Sequence, residues 1–169
     1  MNLYNLHTNS EQLIGHGKFE MLRNTSIKKN IKMPRSTIYR NIFGELHKTD
    51  GPSVIKGNGT EFWYKDNKRH RDGGPAIIYD HGGEVWYKNG KRHREDGPAM
   101  TNDDGFEYWI NDKRHREDGP AVVNKESGTQ YWYKDGEKHR EDGPAVIYAD
   151  GSGEYWIDGK QIHNTGFKR

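Results

Sequence analysis

Five stretches of the chain alternate around a tryptophan: Glu61 to Lys65, Glu84 to Lys88, Glu107 to Asn111, Gln130 to Lys134 and Glu154 to Asp158. A period of two marks a strand with two unlike faces. The residues flanking each tryptophan share one face and are expected to pack inward: Phe62 and Tyr64, Val85 and Tyr87, Tyr108 and Ile110, Tyr131 and Tyr133, Tyr155 and Ile157. Trp63, Trp86, Trp109, Trp132 and Trp156 then lie on the opposite face, between a Glu or Gln and often a Lys. A second apolar run, opened by proline, precedes each stretch, as in Pro144-Ala145-Val146-Ile147-Tyr148. Proline is tolerated at a strand's first residue because no ladder donor is needed there. A Gly/Asp/Asn/Ser cluster such as Ala149 to Ser152 turns the chain between the two runs. Beyond the tryptophan, Asn89-Gly90 and Asp135-Gly136 are strong two-residue hairpin signals, followed by a short Lys-Arg-His return.

The tryptophans are 23, 23, 23 and 24 residues apart, so the elements form a repeat. Counted from His to His, the units are 47–69, 70–92, 93–114, 115–138 and 139–162, with a truncated start at His163 and a degenerate half-unit ahead of His47. Unit three is one residue short between Trp109 and His115. Units four and five are longer, around Lys125 to Ser127 and Ala149 to Gly151 or near Lys160 to Ile162. The expected fold is all-β: an elongated antiparallel β-hairpin array with a short cap. Stacked in register, the units place the five indoles in a ladder, each burying roughly 150–250 Å².

Composition changes this picture little. A mean hydropathy of −1.22 would ordinarily suggest disorder, but the periodic aromatics argue for order over 47–162. The absence of cysteine excludes a disulfide framework and a zinc–thiolate site, and fits a cytoplasmic location. No apolar run approaches a membrane span, and the start carries no secretory pattern. Charge is uneven: residues 1–46 hold seven Lys/Arg against three Asp/Glu, whereas the remainder holds 20 against 22. The basic part, with Arg23, Lys28, Lys29, Lys32, Arg35 and Arg40, reads as a solvated linker or as a contact for nucleic acid or acidic protein. Residues 1–36 form no repeat. Ser10 is a helix N-cap candidate there, and Leu3, Tyr4, Leu6, Leu13 and Ile14 are apolar cover for the edge of the first hairpin. Residues 37–169 form the repeat domain.

Candidate chemistry is mostly repetitive. His70, His93, His115 and His139 recur, most of them with nearby carboxylates such as Glu95-Asp96, but identical residues one unit apart do not converge on a single metal ion. These blocks read as structural turns, with Asp bonding backbone and Arg pairing with Glu along the stack. The tryptophans read as core, with a stacking surface for bases or sugars as the alternative. No phosphate-cradling loop, nucleophile elbow or HExxH motif is present, so no enzyme, metal or cofactor is expected. His81, Asn102, Asp103, Asp104, Phe106, Lys125 and Glu126 differ between units and fall in the first hairpin turn, where a regular scaffold carries partner specificity. Phe106 stands out as a loop aromatic.

The run Tyr87-Lys88-Asn89-Gly90-Lys91-Arg92-His93 resembles the core of MORN repeats, over roughly residues 37–169. It departs from them in holding Phe62, Val85, Tyr108, Tyr131 and Tyr155 where MORN strands carry glycine, and in its HREDGPA block. That block, at 93–99, 115–121 and 139–145, also resembles repeats of bacteriophage and giant-virus proteins. The resemblances imply scaffolding and protein binding, sometimes with lipid contact. In concrete form they imply a phage factor that sterically inhibits a host defence protein in the host cytoplasm. A nucleic-acid or small-ligand binder and a self-assembling structural component (a homo-oligomer) are the alternative expectations.

Overall fold

The computed structural model describes residues 35–163, and the proposed cap, the basic segment up to Lys32 and the chain beyond His163 lie outside the described residues. Among those residues there is no helix, and every strand pair is antiparallel. Twelve strands form one open sheet from Thr37–Ile38 to Lys160–Ile162. The fold class is therefore the expected hairpin array rather than a closed barrel.

Each unit contributes two hairpins. The long hairpins are Val54–Ile55 with Glu61–Phe62, Ile77–Ile78 with Glu84–Val85, Met100–Asn102 with Gly105–Glu107, Val122–Asn124 with Gln130–Tyr131, and Val146–Ile147 with Gly153–Ile157. They join edge to edge through Phe62 opposite Ile77, Val85 opposite Met100, Glu107 opposite Val122 and Tyr131 opposite Val146. One small residue per unit makes this close join possible. Ser53, Ala76, Ala99, Ala121 and Ala145 are all fully buried. The carbonyls of Ala76, Ala99, Ala121 and Ala145 accept the N–H of Trp63, Trp86, Tyr108 and Trp132 at 2.7–2.8 Å. The described core gathers Phe62, Ile77 and Val85, with Tyr64 and Tyr87 packed against them, which is the inward face expected for the first two units.

The short hairpins turn on Asp66-Asn67, Asn89-Gly90, Asn111-Asp112, Asp135-Gly136 and Asp158-Gly159. All ten residues have positive φ, between 46° and 93°, as a type I′ turn requires. Two of these turns lack glycine. In both, the second residue gains a bond in exchange: Asn67 Oδ1 accepts Leu46 N–H at 2.8 Å, and Asp112 Oδ1 accepts Arg92 N–H at 2.9 Å. The turn thereby clips onto the unit before it.

Counting from these turns corrects the tryptophan ladder. Trp63, Trp86 and Trp132 lie three residues before their turns, but Trp109 and Trp156 lie two before. In units three and five, Tyr108 and Tyr155 therefore take the tryptophan position. Trp109 and Trp156 take the place of Tyr64, Tyr87 and Tyr133, and Glu107 and Glu154 occupy the position of Phe62 and Val85. The residue missing from unit three is lost from its long hairpin, which closes on Asp103-Asp104, not between Trp109 and His115. Unit four carries its extra residue in the long-hairpin turn at Lys125 to Gly128, and unit five carries one in its return at Lys160–Ile162.

Candidate functional site

The HREDGPA block is a joint between units, and each side chain in it has a separate task. Arginine lies over the aromatic ring of the preceding unit: Arg71 Cζ is 4.0 Å from the Trp63 ring centre, Arg94 3.9 Å from Trp86, Arg116 4.2 Å from Tyr108 and Arg140 4.2 Å from Trp132. The aspartate two residues on accepts from the arginine Nε, at 2.9, 2.8 and 2.7 Å for Asp96, Asp118 and Asp142. The proline carbonyl accepts from Nη1 at 3.2–3.3 Å. Glycine leaves room for the guanidinium; a Cβ on Gly97 would lie 3.1 Å from Arg94 Cζ. The expected pairing of arginine with glutamate is thus replaced by arginine with aspartate. Hydrogen bonding from Arg94, Arg116 and Arg140, and then their charge, hold Asp96, Asp118 and Asp142 below the ordinary carboxylate value.

A second ladder runs along the other face. Arg69 lies over Tyr87 at 5.3 Å, Arg92 over Trp109 at 3.6 Å, Arg114 over Tyr133 at 5.5 Å and Lys138 over Trp156 at 4.4 Å. The two displaced indoles explain their inward glutamates. Trp109 Nε1 donates to Glu107 at 2.9 Å, and Arg114 Nε joins the same oxygen at 3.0 Å. Trp156 Nε1 donates to Glu154 at 2.7 Å, with Lys138 Nζ 3.6 Å away. The Tyr148 hydroxyl, Trp156 and Lys138 hold Glu154 below its ordinary value against the opposing effect of burial. Successive rings are therefore separated by cations rather than stacked on each other. Among the described residues, the ring pairs in contact are Tyr79–His81, Phe106–Tyr108 and Tyr131–Tyr133, and none joins two indoles.

The histidines occupy the same joint. The first residue of the same unit's short-hairpin turn donates its N–H to Nδ1 of His47, His70, His93, His115 and His139 at 3.0–3.4 Å. Nε2 faces a carboxylate two residues on: Asp72 at 3.1 Å, Glu95 at 3.1 Å, Glu117 at 3.9 Å and Glu141 at 3.3 Å. Where the turn begins with aspartate, that carboxylate also lies at Nδ1, as for His139 and Asp158 at 2.8 Å. Both ring nitrogens of His70, His93, His115 and His139 thus serve the joint. Among the described residues no three His, Asp or Glu come together as a metal site.

Between successive joints the surface forms grooves. One of about 660 Å³ is lined by Trp132, by Arg140 over its ring, and by Glu117 and Glu141. Equivalent grooves recur at Trp63 and Trp86. Recurrence makes them a property of the scaffold, and in each an arginine already covers one face of the indole.

The residues that vary between units lie at the opposite edge, and the structure separates them. His81, Asp103, Asp104, Lys125 and Glu126 are exposed at long-hairpin turns. His81 stacks on Tyr79 at 5.3 Å, and Lys125 N–H donates to the Asp104 carbonyl at 2.7 Å, so neighbouring tips touch. Asn102 and Phe106 are strand residues, not turn residues. Phe106 is half-buried opposite Val123 and meets the Tyr108 ring edge at 5.8 Å. It has the local packing role that its apparent loop position seemed to lack. Sequence reasoning also passed over Ile42 and Phe43, which are the most exposed large apolar residues described.

Comparison with protein-family models and with curated proteins finds no match to this chain. Among the described residues, no helix is long and apolar enough to cross a membrane.

Proposed function

We propose that this chain is a non-enzymatic, protein-binding repeat array. The observation that supports this reading is how its polar groups are divided. Histidines, arginines and aspartates able to do chemistry are engaged alike at the joints of units three to five, whereas exposed side chains that differ between units sit on hairpin tips. A catalytic site needs groups whose environments differ from those of their repeats; a recognition surface needs a rigid frame with variable tips. The arginines seated on the indoles favour a protein partner over nucleic acid, which requires open aromatic platforms. Taken with the HREDGPA resemblance, the concrete form of the proposal is a viral factor that occludes a host protein, such as a defence enzyme, in the host cytoplasm.

Affinity purification of the tagged full chain from its host or source cell, followed by mass spectrometry, tests the reading. One protein retained in near-equal amount supports it. Retention of nucleic acid alone, lost steeply as salt rises, contradicts it.

A further inference from the structure

The short-hairpin tips stack in one row. Gly90 N–H donates to the Arg69 carbonyl, Asn67 N–H to the Leu46 carbonyl, and Gly136 N–H to the Arg114 carbonyl. The degenerate half-unit begins this row. Tyr39 takes the tryptophan position, with its N–H bonded to the Ser53 carbonyl at 2.7 Å and Lys48 Nζ 4.2 Å from its ring centre. Five tips in the row are built from Asp, Asn and Gly, but the first carries Ile42-Phe43, which are 92% and 80% exposed.

Turn tips favour polar residues, and two adjacent apolar side chains in water have no packing role here. The turn is also firmly built. Asn41 Oδ1 accepts the N–H of Phe43 and of Glu45, each at 3.0 Å, Arg40 Nη1 donates to the Gly44 carbonyl at 2.7 Å, and Gly44 closes the turn at φ +79°. Two apolar groups are thus held at a fixed position before any partner arrives, which lowers the ordering cost of docking.

The next two tips carry a second anomaly. Lys65 pairs with Lys68 across one hairpin, and Lys88 with Lys91 across the next. Like charges directly opposite destabilise a hairpin. The later hairpins avoid this, with Ile110 opposite Lys113, Lys134 opposite Glu137 and Ile157 opposite Lys160. Among the described residues, the lysines within 4.0 Å of a carboxylate are Lys48 and Lys138, not these four. Among the described residues, lysine opposite lysine is confined to the two hairpins following the apolar tip.

We infer that Ile42-Phe43 is the anchor of a protein interface, and that its partner offers an apolar pocket bordered by carboxylates facing Lys65, Lys68, Lys88 and Lys91. This rests on the protein-binding reading and names the surface and the partner's chemistry. The anchor governs how long the complex lasts, and the lysines govern how fast it forms.

The full chain and its I42S/F43S and K88E/K91E variants are compared, first in capture from host or source extract. Kinetics then follow with the protein that the wild type retains, once purified. All four substituted side chains are exposed, so thermal melting of both variants stays at the wild-type value. The expected result is about a thirtyfold faster dissociation for I42S/F43S. For K88E/K91E it is about tenfold slower association, at nearly unchanged dissociation. Equal binding by I42S/F43S overturns the inference while leaving the protein-binding reading intact; no protein retained by the wild type overturns both. Sedimentation, a single-stranded oligonucleotide and phosphatidylserine vesicles complete the test. A dimer dispersed by I42S/F43S, or oligonucleotide or vesicle binding abolished by it, assigns the tip to another occupant and overturns the inference.

Discussion

Arg94→Ala removes one plank of the arginine–aromatic ladder. The Arg94 side chain is 23% exposed, lies 3.9 Å from the Trp86 ring centre and donates to the Pro98 carbonyl at 3.3 Å. A partly desolvated cation–π contact and one carbonyl bond together give about 2 kcal/mol, and the exposed Asp96 adds little because water screens it. Urea unfolding followed by tryptophan fluorescence measures this loss. The sharper readout is its coupling to Gly97. A Cβ there would sit 3.1 Å from Arg94 Cζ, so Gly97→Ala must push the guanidinium off its seat. Gly97 does not lie in the left-handed region, so its backbone accepts alanine. In the Arg94→Ala background, Gly97→Ala should therefore stabilise by about 0.4–1 kcal/mol, because it restricts the unfolded chain. In the wild-type background that gain should vanish or reverse, giving a coupling of about 1 kcal/mol. The same effect of Gly97→Ala in both backgrounds would refute the idea that this glycine is there to seat the arginine.

Other consequences are equally direct. Gly105→Ala places a Cβ 1.9 Å from the Val123 carbonyl oxygen at a φ of +146°, so the unit-three hairpin should lose about 3 kcal/mol or more, read by thermal melting. Ala121→Leu forces a large side chain into a fully buried position whose carbonyl bonds Tyr108, and should cost about 1–3 kcal/mol in urea unfolding. Trp109→Phe removes the indole donor 2.9 Å from Glu107 and should cost about 1–2 kcal/mol, with a smaller penalty when Glu107→Gln is already present. Asp96, Asp118 and Asp142 titrate below the ordinary value of 3.8 in the folded protein, so their contribution is complete above that value and is lost as pH falls through the lowered ones. Acid titration of the urea midpoint should therefore decline below about pH 4, and less so in the triple Asp→Asn variant.

The hairpin array was legible because three signals agreed: alternation around Phe62 and Tyr64, proline at strand starts, and Asn89-Gly90 at a turn. What misled was the regularity of tryptophan itself. In unit three a residue lost from the long hairpin and the Tyr108-Trp109 order offset each other, so the 23-residue spacing hid a change of face. The turn Asn111-Asp112 held the correct count, but without glycine it is a weaker signal than Asn89-Gly90. The role of HREDGPA was partly readable. Its repetition marks a joint, yet whether Arg94 chooses Glu95 or Asp96 depends on loop geometry that spacing does not encode. Phe106 looked like a loop residue because the Asp103-Asp104 turn is so short that its neighbours are already strand. Ile42 and Phe43 were absorbed into a lead-in to the first unit, since exposure of an apolar pair follows from packing around it and not from its own identity.

Units register from their turns, so cations and aromatic rings alternate along two separate rows. Nuclear Overhauser contacts of the Arg116 and Arg92 side chains test this registration at unit three. Arg116 should show ring-current-shifted protons with contacts to Tyr108, and Arg92 should show them to Trp109. Contacts from Arg116 to the Trp109 indole would return Trp109 to the row of Trp63, Trp86 and Trp132 and contradict registration from the turns.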